Sequence, residues 1–284
     1  MRIDTALGWA ISQLEGGESP SVDAKVLLAH ILNQSQTYLF TWPDKTLSPQ
    51  QQQQFEHAVK ERQAGKPVAY IIGQRDFWTL SLGTSPHTLI PRPDTEVLVE
   101  RALAWLQQPS QSHLNHELEI CDLGTGTGAI ALSLAAELPK CRVIGVDFLD
   151  EAVHLATSNA KRNSITNATF IQSDWFSALD GYKFDAIVSN PPYIETTSPY
   201  LLEGDVRFEP SSALTSGVDG LDDIRHIIHS APSFLKASGM LAFEHGFDQA
   251  EQVQQLLRQA GFIDVVSYKD YGGNDRVTLG QISG

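Results

Sequence analysis

The chain reads as an α/β protein: an open, mostly parallel sheet with an antiparallel C-terminal strand, preceded by a small helical domain and a β-hairpin linker. Two observations carry this reading. From about residue 94, β-favouring runs alternate with helix-patterned ones, as in a sheet covered by helices. Before residue 70 the apolar residues recur at helical spacing, and the stretch between has a β-favouring texture of its own. The expected division is a helical domain over 1–70, a hairpin linker over 71–93 and the sheet domain over 94–284. A chain of 284 residues has room for one large domain and a smaller one.

In the first part, Val22, Val26, Leu27 and Ile31 lie at helical spacing and predict one helix. Another is predicted from Ser48 as N-cap, with Pro49 at the first position and Gln51 in the capping-box place. The run Gln50 to Gln54 lies between that cap and the Phe55/Val59 spacing, so it reads as a solvated helix face. Gly65 ends this helix and Pro67 follows it. The stretch "RDFWTLSLGTSPHTLIPRP" predicts a hairpin around Gly83-Thr84-Ser85-Pro86. Strands are then expected near 118–123, 142–147, 168–172, 184–189, 239–245, 263–269 and 275–280. Only "DYGGN" separates the last two, too little for a crossover helix, so they should pair antiparallel.

Composition excludes several classes. Hydrophobic content of 42% and charged content of 19% suit a soluble globular protein. No apolar run is long enough to span a bilayer and the N-terminus lacks a signal-peptide core, so a cytoplasmic protein without membrane partners is expected, acting as a monomer. Cys121 and Cys141 sit in strand-like apolar runs and read as reduced core residues, which argues against Cys121 as a nucleophile. Residues 1–75 carry seven of the 20 Lys/Arg and seven of the 34 Asp/Glu, so the net charge of −14 lies beyond them. A chain without a Lys/Arg cluster is poorly suited to displace counterions from nucleic acid. His226/His229 and His113/His116 are each three apart, but no Cys or carboxylate set completes a ligand group, so no metal is expected.

Two stretches carry chemistry. "LEICDLGTGTGAIALSLAAEL" is strand, glycine turn and helix: Gly124, Gly126 and Gly128 permit a tight turn and close approach of a ligand to the helix N-terminus. Asp147 closes the next strand, where a carboxylate can accept two ribose hydroxyls. The spacing also satisfies the NAD pattern, so the loop alone does not choose a cofactor. The acidic strand end and Asp122 favour S-adenosylmethionine, a sulfonium carrying an ammonium, over a pyrophosphate. In "QSDWF", Trp175 and Phe176 fit either a cover for an adenine ring or core beneath the sheet.

The second stretch, "SNPPY", ends the strand "FDAIVS", on the sheet edge where α/β proteins bind ligands. Pro191 and Pro192 break any pairing, leaving the Pro191 carbonyl and the Asn190 side-chain oxygen as acceptors. Two acceptors suit the two hydrogens of a planar –NH2. Accepting both orients a nitrogen whose lone pair is delocalised and favours positive charge building on it as it attacks. Tyr193 would stack on the planar group.

The pair "DLGTGTG" and "NPPY" resembles the class I S-adenosylmethionine-dependent methyltransferases of amino nitrogens. With "FWTLSL", "TLIPRPDTEVLVE", "QSDWFSAL", "GDVRFEPSSAL", "EHG" and "DYGGNDRVTLG", the chain is similar essentially end to end to the PrmC/HemK family. The sister family acting on a ribosomal protein is less similar, since it typically reads "PRSP" where this chain has Pro91-Arg92-Pro93-Asp94. The resemblance implies a Rossmann-like class I methyltransferase sheet and a helical N-terminal domain that recognises the substrate. It implies methyl transfer from S-adenosylmethionine to N5 of the glutamine in the GGQ motif of class-1 peptide chain release factors. S-adenosylhomocysteine is the product, and no nucleic acid is a direct substrate. It assigns Gly124, Thr125, Gly126, Thr127 and Gly128 to the methionine end of the cofactor, Asp147 to the ribose, and Trp175 with Asp174 to the adenine. Asn190, Pro191, Pro192 and Tyr193 would hold the glutamine, with Asn190 also against the cofactor. Arg92 and Glu96 are expected to buttress or line the pocket, and "GDVRFEP" to be a substrate-side loop in which Arg207 and Glu209 have no assigned role.

Overall fold

Near-continuous runs of buried Ile, Val, Leu, Ala and Phe form the centre of a seven-stranded sheet in the computed structural model, which describes residues 1–108 and 117–284. After a two-stranded sheet of β1 (Gln74–Phe77) and β2 (Leu80–Gly83), the strands are β3 (Glu119–Leu123), β4 (Arg142–Asp147), β5 (Ala168–Gln172), β6 (Phe184–Ser189), β7 (Leu235–Glu244), β8 (Phe262–Lys269) and β9 (Asp275–Ile282). Their order is β5-β4-β3-β6-β7-β9-β8. β3 to β7 pair in parallel, while β9 runs antiparallel to both β7 and β8. The chain moves outward from β3 to β4 and β5, then returns to β3's other side as β6. This reversal opens a crevice at the C-terminal strand ends.

Both faces of the central strands are covered, which is why β3, β4 and β6 read as nearly continuous apolar runs, whereas the edge strand β8 is largely exposed. One core sets Ile120, Val143, Ala186 and Val188 against the helices Glu96–Leu106 and Ala129–Glu137. The other sets Cys121, Val146, Ile187 and Phe243 against Asp222–Ser230 and Ala250–Gln259. Both cysteines are free and buried.

By contact, the chain forms two units: Met1–Gln74 with Tyr200–Phe208, and Arg75–Pro199 with Glu209–Gly284. The first is helical, with Ile3, Leu27, Leu28, Phe55 and Val59 at its core. Ser48 and Gln51 close a reciprocal capping box on Pro49–Gln63, and Gln50, Gln53 and Gln54 face solvent. The expected stripe on Pro20–Leu32 is rotated. Val22 is exposed, whereas Asp23 turns inward because Arg62 Nε donates to it at 2.7 Å. The same guanidinium donates to Asp205 at 2.8 Å, fastening Tyr200–Phe208 to this unit, where Arg207 lies over the Phe208 ring. No helix among the described residues is long and apolar enough to cross a membrane.

The hairpin turns at Trp78-Thr79 and not at Gly83–Pro86. Trp78 takes a left-handed φ of 56°, and Glu96 accepts its N–H at 2.9 Å, so a distant carboxylate supports a turn without turn-forming residues. Buried Asn159 joins this region to the glycine loop. Its amide donates to Gly83 O at 3.1 Å and Thr127 O at 2.9 Å, while its oxygen accepts from Gly83 N at 2.7 Å.

Asp122 supports the same loop from below. It is fully buried, and one carboxylate oxygen accepts from Thr125 Oγ1 at 2.6 Å and Ala131 N at 3.1 Å, while the other has no partner among the described residues. Burial pushes this carboxyl up to about 7, and Asp122 supports the loop without lining the cavity beside it. A folded-state pKa above the unfolded one means the native state holds this proton more tightly. Stability from Asp122 is therefore present below the unfolded value and lost as pH rises toward about 7. Asp122→Asn keeps an acceptor for Thr125 and cannot ionise. Its stability relative to wild type should improve by on the order of a few kcal/mol between pH 4 and pH 8, measured by urea denaturation. A constant offset across that range would show that Asp122 does not titrate there.

Candidate active site

Parallel pairing sets Leu123 of β3 beside Ser189 of β6, and Ser189 Oγ donates to Leu123 O at 2.8 Å. The glycine loop and the "NPPY" tip therefore leave neighbouring strands at the same edge. Between them lies a cavity of about 350 Å³, within the range of small-molecule sites. Gly124, Thr125, Gly126 and Thr127 form one wall, Asp147, Asp174 and Trp175 another, and Asn190 with Pro192 a third.

The remaining predicted residues stand behind these walls. Gly128 begins the helix Ala129–Glu137 with a φ of 82°, and a Cβ there would come within 3.1 Å of Ala156 and Leu132, so it is fixed by packing. Pro191 is buried. The Tyr193 hydroxyl donates to Glu244 Oε1 at 3.2 Å, and burial together with the Glu244 charge pushes the phenol up, so it remains a donor. Burial also raises Glu244.

Asp147 accepts the Gly126 N–H at 2.9 Å and the Leu149 N–H at 3.0 Å, and its carboxyl is raised by burial. The two backbone bonds fix the carboxylate toward the cavity and leave further lone pairs for ligand hydroxyls. Trp175 and Phe176 divide the two roles that the sequence left open. Phe176 is buried and stacks on Phe234 at 4.5 Å, whereas Trp175 adopts a φ of 46° and enters the cavity wall. Ser173 holds that turn by donating to Trp175 O at 2.7 Å and accepting from Ala178 N at 3.0 Å.

At the tip, Asn190 Nδ2 donates to Thr95 Oγ1 at 3.3 Å, which orients the amide. Its Oδ1 is buried and has no hydrogen-bond partner among the described residues. An orphaned acceptor in a cavity wall is costly unless a ligand satisfies it.

Arg92 and Glu96 do not line the cavity. Arg92 pairs with buried Glu209, which also accepts Ile90 N–H at 3.4 Å, so this ion pair shapes the "IPRP" turn beside the site. Among the described residues, no group of three or more His, Cys, Asp and Glu side chains is placed to hold a metal ion. His113 and His116 lie outside the described residues.

Sequence reasoning missed Thr95, Asn159, Phe148 and Glu244. Phe148 is exposed and lines the cavity directly after Asp147, a position that could have been read from an apolar residue following an acidic strand end. The others act through bonds to residues far away in sequence: Asn159 leaves no local signal, and Thr95 and Glu244 stand in "TLIPRPDTEVLVE" and "EHG" without a role that those stretches reveal.

Residues 5–73 match the PrmC N-terminal domain and residues 114–269 match a methyltransferase domain. A release factor glutamine methyltransferase of Aliivibrio fischeri is 52% identical over 269 residues, covering 94% of this chain and 92% of the relative. One of Escherichia coli is 49% identical over 273 residues, covering 96% of each. Among solved structures, the 16S rRNA N2 G1207 methyltransferase of T. Thermophilus, in complex with AdoMet and guanosine, shares the fold. It has a TM-score of 0.54 and 18% identity, over 74% of this chain and 49% of that one. With both domains matched and identities of 49% and 52% over nearly the whole length, the chain belongs to the family of release factor glutamine methyltransferases.

Proposed function

We propose that this protein methylates the side-chain amide nitrogen of the glutamine in the GGQ motif of class-1 peptide chain release factors, in the cytoplasm, with S-adenosylmethionine as donor. The observation that carries this is the buried, unpartnered Asn190 Oδ1 in the wall of the glycine-loop cavity. It is a fixed acceptor for an –NH2 hydrogen at the place where a bound cofactor would be met.

The residues fit the cofactor. The 124–127 backbone and the start of the helix Ala129–Glu137 suit its methionine end, Asp147 its ribose hydroxyls, and Trp175 with Asp174 its adenine. Bound there, the cofactor supplies an electrophilic methyl group. The protein's own contribution is to orient the amide. Asn190 Oδ1 accepts one of its hydrogens, and the carbonyl of Pro191, which follows Asn190 but does not line the cavity itself, is proposed to accept the other once the substrate is bound, which draws electron density onto the nitrogen. Thr95 prevents Asn190 from rotating its amide away. Holding the nitrogen in line for transfer can supply ~7–11 kcal/mol of the barrier. No side chain need remove a proton before the methyl moves, because the charged product nitrogen is acidic and releases one afterwards.

Incubation with tritiated cofactor and purified release factor should label wild-type factor and leave a factor with GGA in place of GGQ unlabelled. Equal labelling of both, or of neither, overturns the assignment. Asn190→Ala should lower kcat by roughly 10²–10³-fold, the size of effect seen when one preorganised polar contact to a reacting group is removed. Retained full activity would remove Asn190 from the mechanism.

The helical unit is proposed to grip the release factor beyond its GGQ loop. It exposes Phe40 and Trp42 beside Lys25 and Lys45, whose ammonium groups lie 5.3 and 4.7 Å from the respective ring centroids. Replacing both aromatics with Ser should raise KM for the release factor roughly 5- to 30-fold, as for loss of an aromatic anchor worth 1–2 kcal/mol, with cofactor Kd unchanged. Unaltered KM would place recognition elsewhere.

A further inference from the structure

Among the described residues the "NPPY" tip has no ladder partner of its own, so something else must hold it still. Tyr193 N–H and Ile194 N–H reach Leu214 O at 3.2 and 2.9 Å, which secures one side of the peptide chain. The opposite side is secured by a residue outside every motif quoted above. Gln249 is 6% exposed and precedes the helix Ala250–Gln259. Its Nε2 donates to Tyr193 O at 3.0 Å and to Asp219 O at 3.2 Å, and its Oε1 accepts Gly246 N–H at 2.8 Å.

One buried amide thus joins three segments: the tip, the turn around 217–220 and the turn after β7. The 217–220 turn has been shaped to allow this. Gly220 has a φ of 72°, and a Cβ there would lie 2.1 Å from Tyr193 O and 2.7 Å from Gln249 Nε2. Thr196 N–H and Oγ1 both donate to Gly217 O, at 3.0 and 2.7 Å, so the same turn also holds the chain beyond the tip. Tyr193 is consequently held twice by one segment, at its hydroxyl by Glu244 and at its carbonyl by Gln249.

We infer that Gln249 is a positioning residue for methyl transfer. By fixing the Tyr193 carbonyl, it sets where the Asn190 acceptor stands relative to the glycine loop. It does not line the cavity, so its effect should fall on turnover and not on cofactor binding. The inference rests on the acceptor role proposed for Asn190.

Two full-length variants test it. Gln249→Met fills the same space and loses all three hydrogen bonds. Gln249→Glu retains the acceptor for Gly246 N–H and loses both donations. If Gln249 only ordered the turn after β7, the Glu variant would behave as wild type. Positioning predicts instead that both lower kcat by roughly 10- to 100-fold, the scale of a 1 Å misplacement, with KM for release factor and cofactor Kd within about threefold of wild type. It also predicts faster hydrogen exchange at the amides of Ile194 and Thr196 in both variants, a readout that needs no substrate. Should the Glu variant fail to fold, the exchange rates at Ile194 and Thr196 in the Met variant decide, because disorder confined to the turn after β7 would leave both unchanged. A Met variant with kcat within twofold of wild type, or unchanged exchange at both amides, overturns the inference. Wild-type protein that labels no release factor overturns the acceptor role instead, and the exchange measurement still judges the clamp.

Discussion

The site depends on one pairing, that of β3 with β6. Because the two strands run in parallel with Leu123 beside Ser189, the residues that follow each strand emerge together at one sheet edge. A slip of one residue would turn Ser189 from Leu123 O and carry Asn190 away from Gly124. Apolar patterning alone cannot prevent such a slip, because both faces of β6 are buried. Side-chain size does so. Ala186 and Val188 meet one core, while Phe184 and Ile187 fill the other, and exchanging them would overpack one face and leave voids in the other. The functional geometry is thus a consequence of core packing several residues away from the chemistry.

The sheet was legible because its central strands β3, β4 and β6 are short apolar runs and β8 and β9 flank a glycine-containing turn, and every expected strand is found. The irregular parts were less so. Gly83 to Pro86 carries stronger turn residues than Trp78-Thr79, yet the chain turns at Trp78 because Glu96 accepts its N–H. Val22 continues an apolar period, yet Asp23 is the residue that turns inward because Arg62 meets it. In both cases a single charged side chain, brought close by the fold, outweighs a local preference worth a fraction of a kcal/mol.

The candidate site divides along the same line. The glycine loop, Asp147, Trp175 and the tip are local motifs whose backbone requirements are written in adjacent residues, and they can be read directly. Thr95, Glu244 and Asn159 meet their partners across 95, 51 and 76 residues. Nothing within a window around any of them indicates that partner. These residues supply orientation, whereas the motifs supply chemical groups, so a sequence reading recovers what the site contains more readily than how rigidly it is held.

The buried carboxylates give that rigidity an electrostatic side. Asp122, Asp147 and Glu244 are all raised by desolvation, and Asp122 is raised further by the charge of Asp147. Such an arrangement opposes its own ionisation while no cation is near. A sulfonium cofactor carrying an ammonium group would favour the charged forms, Asp147 foremost because it lines the cavity. Linkage then requires the converse: ionised carboxylates favour the cation, and binding is accompanied by proton release as pH falls toward the raised pKa values. The acidic balance of the larger unit, which counts against a polyanionic substrate, thereby becomes part of the selection for a positively charged donor.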